Sequence, residues 1–287
     1  MRYSSRFFLY APISLLAVIV LAASLHWWLA ARAFSKRLDD LNGHLLMPGV
    51  TLHFSAKQIA GFPFRLDAVF ENFAIAVDAP RGPLTWTSEK FALHGLIGSN
   101  AREIFEAAGR QTISWTDQDG RPQTVAFLPA ILHASAVNDA RGLVRFDLAL
   151  NGAGAAAFTL EQMQFHLRRN PTGKALDYVV SADNLHLARA TGFGDTLKNL
   201  YLAGDIAPIA PLAGLLRGAA RWQDAADSWR AAHGVVQVTS GTLRWNKIDM
   251  IVKGALSLDD GKKPAGDLSV SANGIALPAP LGKSALY

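Results

Sequence analysis

Val144-Arg-Phe-Asp-Leu-Ala-Leu150 decides the fold. Val144, Phe146, Leu148 and Leu150 fall on one side of an extended chain, and Arg145 and Asp147 fall on the other. A period of two with one polar side is the pattern of an antiparallel sheet wet on one face. The pattern recurs downstream. Met250, Val252, Leu256 and Leu258 alternate with Asp249, Lys253 and Ser257, and Leu268, Val270 and Ala272 alternate with Asp267, Ser269, Ser271 and Asn273. Segments 73–77, 91–94, 112–115, 176–182 and 235–245 read the same way. Turn residues punctuate them at Asp117-Gln-Asp-Gly120, Asn151-Gly152, Asn170-Pro-Thr-Gly173 and the wet loop from Asp259 to Gly266. That spacing predicts a meander.

Upstream of the strands, Phe7 to Ala31 is a run of 25 residues without a charge, flanked by Arg2 and Arg6 before and Arg32, Lys36 and Arg37 after. As a helix it reaches about 37 Å, enough to cross a hydrocarbon core of about 30 Å with some tilt. Trp27-Trp28 near its far end suits a membrane–water interface. Ala31-Arg32-Ala33 has the form of a peptidase site, so a cleaved signal peptide competes with an anchor. The length of the apolar run exceeds a normal signal core and favours the anchor. The expected layout is therefore an N-terminal transmembrane helix over 1–33 and a β-rich exported domain over 34–287, with two sub-sheets divided near 140. Basic residues balance on the two sides of the run, and a short leading tail before a first apolar segment places the bulk of the chain in a bacterial periplasm, tethered once to the inner membrane.

The formal charge of +5 does not mark a nucleic-acid surface. Five of the 28 basic and two of the 23 acidic residues lie within positions 2–40, leaving a net charge near +2 beyond them, with the basic side chains scattered. Nucleic acid is not an expected partner. The lack of cysteine is compatible with an oxidising compartment and with a reducing one.

Two helices are predicted within the sheet-rich part. Asn100 and Glu103 have capping-box spacing before Ile104-Phe105, with Gly109 ending that helix. A longer helix from about Pro211 to Ala232 carries Leu212, Leu215, Ala219, Trp222, Ala226 and Trp229 at three-and-four spacing, with Gly234 after its end. Its stripe either packs on the sheet or lines an apolar groove.

Gly61-Phe-Pro-Phe-Arg65 stands a short way after the apolar run. Pro63 fixes its own φ and pushes Phe62 out of the helical region, so Phe62 and Phe64 are expected to bury as an aromatic corner on the sheet. Arg65 beside them suits a carboxylate or a lipid phosphate. This motif, with Gly241…Leu243-Arg-Trp245 and Gly254-Ala-Leu-Ser-Leu-Asp259…Pro264-Ala-Gly266-Asp-Leu-Ser-Val270, resembles the bacterial membrane-anchored proteins of domain of unknown function 2125. The C-terminal pattern also resembles the closing repeats of AsmA-like proteins. The resemblance implies an inner-membrane tether and a curved antiparallel sheet, of groove or open-barrel type with one or two packed helices, facing the periplasm. AsmA-like proteins are linked to lipid handling and envelope integrity. Their pattern continues into a further helix and strand, whereas this sequence stops at Tyr287, which implies either a short member or a truncated chain.

Catalytic patterns are thin. Eight histidines (26, 44, 53, 94, 133, 166, 186 and 233) include no H-x-H or HExxH, and no G-x-S-x-G is present. Asn151-Gly-Ala-Gly-Ala-Ala-Ala157 formally fits G-x-G-x-x-A, but the residues after it open no helix, so a glycine-rich hairpin turn is expected. Gly282-Lys283-Ser284 lacks the leading glycine of a phosphate loop. No metal, cofactor or catalytic residue is expected. The expected role is an apolar β-groove that binds phospholipid or another envelope protein, with Phe62, Phe64, Trp222 and Trp229 in the groove and Arg65 at a head group. An envelope enzyme whose site forms only on folding, and a purely structural scaffold, are the alternatives.

Overall fold

A computed structural model describes residues 5–96 and 99–273. Antiparallel strands dominate it, and they divide into two compact units. Unit one holds the residues up to Ala126 and His133–Ala140; unit two holds Phe127–Leu132 and the residues from Arg141 on.

Unit one begins with α1 (Ser5–Leu41), the single described helix long and apolar enough to cross a membrane. Its strands are β1 (Leu45–Met47), β2 (Val50–His53), β3 (Ala56–Ala60), β4 (Arg65–Val77), β5 (Leu84–Leu96), β6 (Ser99–Thr116), β7 (Pro122–Phe127) and β8 (Ile131–Asp139). The pairing order is β1-β2-β4-β5-β6-β8, with β3 on β4 and β7 on β6. Asn72, at φ +50°, breaks the alternation of β4, so Phe70 and Phe73 share a face. With Phe54, Phe91 and Trp86 they form an aromatic core in which Phe73 and Phe91 stack at 4.0 Å. Ser88 and Gln111 are paired across β5 and β6 and fully buried. Gln111 Nε2 donates to Ser88 Oγ at 3.0 Å and to the carbonyls of Ala108 and Gly109, satisfying the backbone where β6 bulges.

Unit two is a meander: β9 (Gly142–Gly154), β10 (Phe158–Arg169), β11 (Leu176–Thr191), β12 (Gly194–Ala207), then a 3-10 turn (Ala210–Leu212), α2 (Ala213–Leu216) and α3 (Trp222–Ala231), and finally β13 (Val235–Trp245), β14 (Ile248–Leu258) and β15 (Pro264–Asn273). Asn170 builds the turn after β10: Gly173 N–H donates to its carbonyl at 2.9 Å and Lys174 N–H to its Oδ1 at 3.1 Å. Asp259 does the same before β15, accepting from Lys262 and Lys263 N–H.

Three expectations change. Residues 100–109 are strand, not helix. Good helix formers are present there, among them Glu103, Glu106, Ala107 and Ala108. Even so, β6 is paired with β5 along its length, His94 against Ile104 and Phe91 against Ala107, and that pairing overrides local propensity. The long helix expected over 211–232 is broken into a 3-10 turn, α2 and α3. Gly218, at φ +67°, ends α2, with Gly218 N–H donating to the Leu215 carbonyl and Ala219 N–H to that of Gly214. The glycine-rich turn falls later than expected: Asn151 and Gly152 are still in β9, and Ala155 N–H closes on the Phe158 carbonyl at 2.8 Å. The expectations on Arg2 and on the segment from Ile275 to Tyr287 lie outside the described residues.

Phe70 is 2% exposed at the centre of the aromatic core. Phe70→Ala is expected to cost about 3–5 kcal/mol, read by chemical denaturation of the detergent-solubilised chain.

Candidate functional site

The register of unit two puts most of its apolar residues on one side, with Val179, Tyr201 and Ile251 on the other. Leu148 and Phe165 are opposed, Val180 faces Leu202, and Gly241 faces Val252, which faces Val270. Two residues along, Leu150, Met163, Ala182, Leu200, Leu243, Met250 and Ala272 form a second row across the same seven strands. Rows at Phe146–Leu167–Tyr178 and at Leu160–Leu185–Leu197–Trp245–Ile248 extend the face in both directions. The last of these lies beyond a line of extra residues, Gly152, Glu161, Asn184 and Lys198, one in each of four adjacent strands. Each strand bulges once at that level, so the alternation resumes with apolar residues on the original side. Leu150, Ala153, Leu160 and Ala182 accordingly pack as one cluster, joined by Met163, Leu185 and Leu200.

The two rows that cross all seven strands run about 29 Å. With the shorter rows on either side the face measures at most about 20 by 29 Å, at the upper end of the largest apolar patch on an ordinary soluble surface, a size that is often functional. In a β-sandwich the middle of such a face is buried under a second sheet. Here Leu148, Phe165, Val180, Leu202 and Val252 are only half-buried, and Val270 is 52% exposed. Glycine shapes the face at Gly204, where a Cβ would overlap the Gln237 carbonyl and stand 2.9 Å from the Tyr178 hydroxyl. That hydroxyl donates to Gln237 O at 3.2 Å.

The helical segment lies across one end of this sheet. Ile209 N–H donates to Lys174 O at 3.0 Å, Arg230 pairs with Asp260, and Lys262 Nζ meets Asp227 at 2.8 Å. Trp229 is buried at 4% with its ring where a side chain on Gly234 would stand, and Trp222 is half-buried.

Phe62, Phe64 and Arg65 are in unit one. Phe62 and Phe64 are not buried on the sheet as expected; they are 56% and 76% exposed. Gly61, at φ +96°, turns the chain, and a Cβ there meets the Arg65 carbonyl at 2.8 Å, so the tip is held outward. Trp27 Nε1 donates to Arg65 O at 2.8 Å, and its ring meets Phe62 edge-on at 5.5 Å. The Arg65 guanidinium is 3.0 Å from Asp67 Oδ1 and from His94 Nδ1, and Glu106 and His133 continue the line at 3.7 and 3.9 Å. Sequence reading missed this polar cluster, since its members meet only through the pairing of β4, β5, β6 and β8; Asp67 opposite His94 is a matter of register. Among the described residues no group of three His, Asp or Glu is placed to hold a metal ion.

The polar side of unit two holds a second pair. His166 Nδ1 is 2.7 Å from Asp147 Oδ1, and Arg145 Nε is 2.6 Å from Asp147 Oδ2. Burial raises the Asp147 pKa, but the hydrogen bonds from His166 and Arg145 outweigh it and leave the carboxyl below its ordinary 3.8.

Fold and site together define a mainly β protein with one long apolar N-terminal helix and an apolar sheet face. The chain belongs to the family described as "Uncharacterized protein conserved in bacteria (DUF2125)", which it matches over residues 27–285. No curated protein and no solved structure matches it.

Because the folded state favours the Asp147 carboxylate, its contribution is complete above 3.8 and is lost as pH falls through the lower folded value. Asp147→Asn is expected to lower stability at neutral pH and to flatten the acid limb of a stability-against-pH curve.

Proposed function

We propose that the protein is tethered to the bacterial inner membrane by α1, with its β units on the periplasmic side, and that the apolar face of unit two holds the acyl part of a phospholipid. The observation that carries this reading is the half-burial of the middle row, Leu148, Phe165, Val180, Leu202 and Val252, in a continuous apolar face at the upper end of what a soluble surface exposes. Acyl chains match it because they bring no polar groups that need partners, and the face offers few. The apolar run of α1 and the bacterial family support the location.

A phospholipid with a photoreactive acyl chain, incorporated with the full chain in nanodiscs, tests this reading. Crosslinked peptides are expected from β11, β12 and β13 around Val180, Leu202 and Leu243, with several-fold less crosslinking in Leu202→Lys. Crosslinks confined to α1 and the 61–65 loop sink it.

A further inference from the structure

We infer that the Gly61–Arg65 loop is a bilayer-docking element, with Phe62 and Phe64 entering the interfacial layer beside the point where α1 leaves the membrane. The inference rests on the anchored reading of α1. Phe7 to His26 is a stretch of 20 residues, about 30 Å as a helix and equal to the hydrocarbon thickness, which sets Trp27 at its boundary. Past that point the helix lies on the protein: Ala31 and Leu38 are 8% and 6% exposed.

Two ties fix the level of the loop. Asp39 pairs with Lys57, and Trp27 is bonded to Arg65 and packed on Phe62. From Trp27 to Asp39 the helix rises about 18 Å. From Lys57 to Phe62 the chain runs about 17 Å in extended form. The two lengths agree, so β3 runs back along the helix and delivers the loop to the level of Trp27. Aromatic rings with 56% and 76% exposure are costly in water and favourable at that depth. Arg65 is already paired with Asp67, so attachment comes from the rings and not from a free cation.

The chain has no cysteine, so single positions can be labelled cleanly. Phe64→Cys, Ser55→Cys at the far end of β3 and Leu25→Cys in α1 are each labelled with an environment-sensitive fluorophore. The full chain is then reconstituted in phosphatidylcholine vesicles with lipids spin-labelled near the head group. Quenching several-fold stronger at position 64 than at 55, and equal in low and high salt, is expected. Quenching at 25 with position 64 as dark to the quencher as 55 overturns the inference and leaves the anchor standing. No quenching at 25 overturns the anchored reading and this inference with it. Phe64 is exposed, so its replacement leaves the core intact.

Discussion

Strand register is the constraint on which the rest of unit two depends. A slip of one residue moves every side chain of a strand to the other face. The pairing of Leu148 with Phe165, and of Val180 with Leu202, holds the aliphatic rows together across the sheet. The bulges at Gly152, Glu161, Asn184 and Lys198 matter for the same reason. An extra residue in one strand alone would put its apolar side chains out of step; one in each of four neighbours keeps them in step.

Much of this is legible in the sequence. The alternation in 144–150, 250–258 and 268–272 places β9, β14 and β15, and segment 235–245 coincides with β13. The departures are local. Asn100 and Glu103 carry a helix-start signal, yet an amphipathic segment that finds a partner strand gains a full ladder of hydrogen bonds that no single capping pair can match. The break at Gly218 is readable, since Arg217-Gly218 is a helix-end pattern; the three-and-four spacing of the apolar residues across it masks the stop.

The polar clusters are not legible at all. His94 stands 27 residues from Asp67 and 12 from Glu106, and no spacing rule links them. They meet because β4, β5 and β6 are antiparallel neighbours. Asp147 and His166 meet in the same way across β9 and β10. Long strands joined by short turns thus create polar sites on the wet face whose members are distant in sequence.

The motif Gly61-Phe-Pro-Phe-Arg65 divides its work by residue. Gly61 supplies a backbone conformation and a space that a side chain would fill. Arg65 closes the turn with its N–H on the Gly61 carbonyl at 2.8 Å, accepts the Trp27 indole on its own carbonyl, and spends its guanidinium on Asp67 and His94. None of these contacts uses Phe64, and the Phe62 ring stands perpendicular to that of Trp27. A motif whose one charged side chain, half exposed, is already engaged by Asp67 and His94, and whose aromatic members face outward beside a membrane-length helix, is built to present rings. On the anchored reading, those rings have a medium to enter, and the angle at which α1 meets the bilayer follows from where they settle.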